Sequence, residues 1–203
     1  LIWSDGAYED AVGTVGFLAA RFREGAPPPP SAAHKSDSVC MLWAAEACEW
    51  CHGGAATVPA DLMAALLHRK QQIGQVEIIG GMCAYLSLPA SWIAGREVIH
   101  WIDNTSACAT MCKGYSGVPD SARLVHAFHA LCLGLQVRVW FEYVPTGANP
   151  GDEPSRRAGL AACVWRRNDG VISQPVPVLF PDAAALHEAA AWQRAGAAAQ
   201  ARF

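Results

Sequence analysis

A chain of 203 residues, 52% hydrophobic and 16% charged, is too apolar to be intrinsically disordered and long enough for one domain with a substantial core. Its 15 basic and 18 acidic residues leave a formal charge of -3, which excludes a strong general field for nucleic acid; any such contact must rest on local patches or a neighbouring domain. No apolar run approaches the ~20 residues of a membrane span, and the start at Leu1-Ile2-Trp3-Ser4-Asp5, without initiator methionine or charged leader, leads us to expect a soluble piece of something longer.

Leu1 to Tyr8 is rich in strand formers, Glu9-Asp10 reads as a turn, and Val12 to Phe22 resumes as a second strand, so the chain opens with an antiparallel hairpin carrying Asp5. Gly25-Ala26 and the prolines from Pro27 to Pro30 form a stiff loop, and Ser38 to Ala44 offers a third strand. From Pro59 the period becomes helical, with Leu62, Leu66, Ile73, Val76 and Ile79 on one face and Lys70-Gln71-Gln72 toward solvent; a single helix, broken at most once, is expected to reach about Leu86. Gly80-Gly81 is costly inside a helix unless that face approaches the sheet closely, and Glu77, one turn earlier, shares the inward face.

Val98 to Ile102 is an almost unbroken apolar run that delivers Asp103 to the rim of a sheet. Asn104-Thr105-Ser106 then open a short helix to about Cys112, stopped by Lys113-Gly114. Pro119-Asp120-Ser121 start a second helix with a stripe of Leu124, Val125, Phe128, Leu131, Cys132 and Leu135. Val137 to Val144 is the fifth strand, residues 145 to 151 are a loop, and Asp152 opens a last helix to about Cys163. Beyond Arg167, Pro175, Pro177 and Pro181 punctuate an extended segment, and an alanine-rich helix from Ala183 packs weakly or serves as a connector. This order of elements describes an α/β domain, a mixed sheet with helices on its faces.

Hydrolysis of a phosphodiester by two divalent cations needs several carboxylates at one point, because each ion requires anionic oxygen ligands while keeping positions for water and phosphate. Asp5, Glu77, Asp103 and Asp152 meet that need if the sheet brings them together. Taken singly, each has a plain structural reading as a strand-end, surface or helix-N-terminal acid; their joint order makes the pattern informative.

The blocks Trp3-Ser4-Asp5-Gly6, Gln71-Gln72-Ile73-Gly74-Gln75-Val76-Glu77, Ile102-Asp103-Asn104-Thr105-Ser106-Ala107 and Val144-Pro145-Thr146-Gly147-Ala148-Asn149-Pro150-Gly151-Asp152-Glu153-Pro154-Ser155-Arg156 resemble ribonuclease H domains of retroelement reverse transcriptases. The resemblance covers residues 1–165 and implies a ribonuclease H-like fold: a five-stranded mixed sheet, three antiparallel strands then two parallel, with helices on both faces. Residues 166–203 would form a C-terminal extension. It implies a metal-dependent endonuclease that hydrolyses the RNA strand of RNA-DNA hybrids, beside an upstream reverse transcriptase domain and away from any membrane. Asp5, Glu77, Asp103 and Asp152 match the family's metal-binding acids and would hold two Mg²⁺ ions, with Mn²⁺ as a substitute. Cellular members carry a histidine in the loop before the last acid; Tyr143 to Gly151 has none, and Asn149 is the candidate in its place.

Asn104, Thr105 and Ser106 serve either as donors to ribose 2′-hydroxyls or as helix caps, and Arg156 either contacts phosphate or forms a salt bridge. Two alternatives from other classes stand beside the nuclease: a catalytically silent ribonuclease H-like module of a polymerase polyprotein, and a same-fold nuclease acting on DNA. Eight cysteines scattered through apolar segments read as reduced core thiols of an intracellular, reducing compartment, cytoplasm or nucleus. Cys48-Glu49-Trp50-Cys51-His52 has the spacing of a haem attachment or half a zinc site, with Cys108 and Cys112 as the other half, but no further ligand pattern supports either. His100 reads as a hydrogen-bonded core residue, and His126 and His129 as exposed.

Overall fold

Strand-forming residues on both sides of Asp10 and Ala11 fold back on each other as β1 (Ile2–Glu9) and β2 (Val12–Phe22) in the computed structural model, which describes residues 1–26, 47–158 and 174–187. Asp10 and Ala11 both have left-handed backbones, with φ of 49° and 62°, the paired signature of a two-residue hairpin turn whose twist suits the strands. An alanine there meets its own carbonyl, at a cost of roughly 1 kcal/mol that glycine avoids. Ala11→Gly is therefore expected to stabilise the protein by about 0.5–1 kcal/mol in urea unfolding, net of the extra freedom glycine gains when unfolded; a lowered midpoint would refute this account of the turn.

The strand paired with β2 is β3 (Cys48–Thr57), with Thr14 opposite Thr57 and Phe22 opposite Cys48. The strand expected at Ser38 to Ala44 lies outside the described residues. Small residues and two glycines disguise β3, but a Cβ on Gly54 would lie 2.8 Å from the Phe17 ring. Phe17 covers the gap that its opposite glycine leaves, so the pairing supplies what local preference lacks.

The helix expected from Pro59 to Leu86 is two helices, α1 (Ala60–Ala64) and α2 (Ile73–Ser87). The connector between them is held from a distance: Asp120 accepts from the Leu67 backbone N–H at 3.1 Å and from Arg69 Nη2 at 2.8 Å. Gln72, expected toward solvent, is buried, and its amide donates to the Leu67 carbonyl at 3.0 Å. A single turn-like helix, α3 (Ala90–Ile93), leads into β4 (Glu97–Ile102), followed by α4 (Thr105–Lys113), α5 (Pro119–Gly134) and β5 (Arg138–Tyr143). Gly114, at φ 71°, closes α4 where the Lys113-Gly114 stop was expected.

The sheet order is β5-β4-β1-β2-β3: three antiparallel strands, then two parallel ones on the far side of β1, as expected of the fold class. A short β6 (Gln174–Pro175) extends it beyond β3 in parallel. Ile2, Val15 and Phe17 on one face meet Ile79 and Met82 of α2 and Leu124 and Phe128 of α5 in the main core. Trp3, Leu18 and Trp101 form a smaller cluster with Val144 and Ala148 on the other.

The last helix opens at Asp152 and continues as a π-helical turn over Pro154–Ala158, beyond which the chain to Ser173 is outside the described residues. Part of the C-terminal extension packs on the domain. The Val176 N–H donates to the Gly53 carbonyl at 2.8 Å, the Leu179 N–H to Ser87 Oγ at 2.8 Å, and Leu186 is buried in the main core. Among the described residues no helix is long and apolar enough to cross a membrane.

Candidate metal centre

Because β1 and β4 are adjacent and parallel, with Ser4 paired to Ile102, the next residue along each strand direction is an acid: Asp5 inside β1 and Asp103 just past the end of β4. Helix α2 brings the third. A Cβ on Gly80 would lie 2.8 Å from the Asp5 carbonyl oxygen, and one on Gly6 would lie 2.7 Å from the Glu77 nitrogen. Helix and strand backbones therefore touch directly, the close approach expected of the glycine pair, and Glu77 is buried beside Asp5. Ligand oxygens of Asp5, Glu77 and Asp103 lie within 4.8 Å of one another.

Three carboxylates this close disfavour one another's charge. Burial is the largest influence on Asp5, pushing its carboxyl up to about 7; a hydrogen bond from Ser155 opposes this, while the charges of Asp103 and Asp152 add to it. Glu77 is pushed up to about 10, first by burial and then by the Asp5 and Asp103 charges, against a hydrogen bond from the Gly6 backbone. Asp5 Oδ1 and Glu77 Oε2 are buried without a hydrogen-bond partner. Buried carboxylate oxygens are costly in that state, and an all-oxygen donor set suits a hard divalent cation, so the residues present fit such an ion.

The sign of the resulting pH dependence follows from the two shifts. Both carboxyls rise on folding, from 3.8 for Asp5 and 4.5 for Glu77, so the folded state binds more protons above about pH 4. Stability of the cation-free protein should then fall as pH rises through about 7 for Asp5 and on toward about 10 for Glu77. A bound divalent cation favours the ionised forms and cancels the loss. In scanning fluorimetry the melting temperature in EDTA is expected to drop between pH 5 and pH 8, and added Mn²⁺ to raise it more at pH 8; an equal rise at both pH values would contradict the site.

Asp152 flanks this group and is not one of the three mutually close acids. Its Oδ1 lies 2.6 Å from Arg156 Nε, one helical turn on, so Arg156 takes the salt-bridge role weighed for it. Asn149, the candidate for the missing loop histidine, is buried; it donates to the Ser4 carbonyl at 3.0 Å and accepts from the Gly151 N–H at 3.0 Å. The first bond fastens the loop to β1 one residue before Asp5, and the second closes the loop on itself. Asn104 caps α4, its Oδ1 accepting from the N–H groups of Ser106 and Ala107 at 3.1 and 3.0 Å, while Thr105 and Ser106 are exposed on the first turn.

His100 is fully buried between Ser4 Oγ at 2.8 Å and the Tyr85 hydroxyl at 3.3 Å, and burial lowers its pKa to about 3, so it is a neutral core residue as expected. His126 and His129 are exposed. Within the Cys48–His52 stretch only the His52 side chain is described, and its ring packs on Trp92 with centroids 3.2 Å apart. Cys83, Cys108 and Cys132 are buried and Cys112 is exposed. Sequence reasoning missed Ser155, whose hydroxyl donates to Asp5 Oδ2. Its signal was its place in the block that ends at Arg156, three residues after Asp152, a position that by itself is common in any first helical turn. No protein family, curated protein or solved structure matches the chain.

Proposed function

We propose that this protein is a divalent-cation-dependent endonuclease of ribonuclease H type that hydrolyses the RNA strand of RNA-DNA hybrids, working beside an upstream reverse transcriptase domain. The observation that carries the reading is the meeting of Asp5, Glu77 and Asp103 from three separate elements, with two buried oxygens left for an ion. The hybrid as substrate comes from the resemblance of the four sequence blocks. Mg²⁺ is the cation we assign, with Mn²⁺ as a substitute, and Asp152 would join the ligands of a second ion. Two such cations supply an activated attacking water and neutralise charge on the departing 3′-oxygen.

The chain's own groups divide the remaining work. Asp5 of β1 and Glu77 of α2 are buried and hold fixed positions, while half-buried Asp103 stands just past the end of β4. Thr105 and Ser106, exposed beside it, carry hydroxyls suited to a ribose 2′-hydroxyl, and Arg156 places a cation near the phosphate. Labelled RNA-DNA hybrid, duplex DNA and branched DNA should be incubated with the protein in Mg²⁺ and in EDTA. The expected result is cutting of the RNA strand of the hybrid in Mg²⁺ alone; cleavage of DNA, or of nothing, overturns the reading.

A further inference from the structure

Ser155 is buried, and its hydroxyl lies between two acids that are far apart in the chain. Its Oγ donates to Asp5 Oδ2 and lies 2.9 Å from the Asp152 carbonyl oxygen. The turn that carries it is fastened at both backbone ends: the Ser155 N–H donates to the Gly151 carbonyl at 3.3 Å, and the Ser155 carbonyl accepts from Thr14 Oγ1 at 2.5 Å. Gly16, opposite Asp5 in the β1–β2 ladder, makes room for this, since a Cβ there would lie 2.5 Å from the Ser155 nitrogen. Thus β2 itself seats the turn against the Asp5 carboxylate.

A carboxylate at the end of a short side chain can still rotate about its last bond, and rotation exchanges its two oxygens. One partner on one oxygen stops that. Asp5 has such an arrangement, with Oδ2 held by Ser155 and Oδ1 left without a protein partner. We propose that Ser155 is the positioning residue of the metal centre: by holding Asp5 Oδ2 it presents Oδ1 to the cation, and it makes cation affinity depend on the docking of the 152–158 turn. This rests on the reading of Asp5, Glu77 and Asp103 as a cation site. Hydrogen-bond partners of ligating carboxylates affect metal affinity by about 10–100-fold when removed.

The test is Mn²⁺ titration of the full chain, followed by the electron paramagnetic resonance signal of free Mn²⁺, for wild type, Ser155→Ala and Ser155→Thr. Wild type is expected to bind, Ser155→Ala to bind about 10–100-fold more weakly, and Ser155→Thr, which restores a hydroxyl, to recover most of the loss. Equal affinity of wild type and Ser155→Ala overturns the role of Ser155, as does a folded Ser155→Thr that binds no better than Ser155→Ala. Failure of wild type to bind Mn²⁺ overturns the cation site itself, so the two failures are distinguishable. Should Ser155→Ala not fold, Ser155→Thr is compared with Ser155→Cys, whose thiol is a weak donor, and equal affinities there overturn the proposal.

Discussion

On the proposed function, replacing Asp103 by asparagine is expected to reduce Mg²⁺-dependent cleavage of an RNA-DNA hybrid by about a thousand-fold or more while leaving the cation-free fold at least as stable as wild type. Asparagine keeps the shape of the side chain and removes its charge. A carboxylate ligand lost from a catalytic ion removes several kcal/mol of transition-state stabilisation, and each 1.36 kcal/mol is about tenfold in rate. Stability should move the other way, because the Asp103 charge raises the carboxyls of both Asp5 and Glu77 in the folded protein. Initial rates on a labelled hybrid, with melting temperatures in EDTA, read both quantities. Unchanged cleavage would remove Asp103 from the site, and a large drop in melting temperature would make it a structural residue.

Asp120→Ala is expected to destabilise the protein by about 3 kcal/mol, toward the lower end for loss of one partner of a buried ion pair because Arg69 keeps some contact with water. Asp120 accepts from Arg69 Nη2 with both oxygens at 2.8 Å, from the Leu67 N–H at 3.1 Å and from the Ser121 N–H at 3.0 Å. Its removal leaves a guanidinium and two backbone donors without this acceptor in a partly buried place. Gln75, whose amide lies 2.7 Å from the Ser121 hydroxyl, belongs to the same polar network at the start of α2. Urea unfolding measures the effect, and a loss below about 1 kcal/mol would show that packing alone holds the connector.

The hairpin and the strand ending at Asp103 were legible from local pattern, alternation and an apolar run with a polar tip, and the three acids from the joint order of the blocks that carry them, with a glycine pair one turn after Glu77. What escaped depends on partners distant in sequence. Gly53, Gly54 and their small neighbours mask the strand signal of Cys48–Thr57; the free edge of β2 and the ring of Phe17 select it. A single break before α2 was allowed for, but its place is set by Asp120, some fifty residues on, and the partner of the Ser155 hydroxyl is an aspartate 150 residues earlier. Asn104 illustrates a different limit. Its cap uses the amide oxygen, which accepts from the Ser106 and Ala107 N–H groups, whereas a ribose contact would use the amide N–H donors, and the residue type alone does not say which end is engaged.

The glycine contacts between β1 and α2 bear on how the protein can change over generations. Core side chains such as Ile79, Met82 or Phe128 can be exchanged for others of similar volume, since neighbouring side chains adjust. Gly6 and Gly80 face main-chain atoms, which have no rotamers to give. An alanine at either would push the helix off the strand and draw Glu77 away from Asp5. The spacing of the acids is thereby insulated from drift in the core, and selection for that spacing falls on two positions that carry no functional group at all.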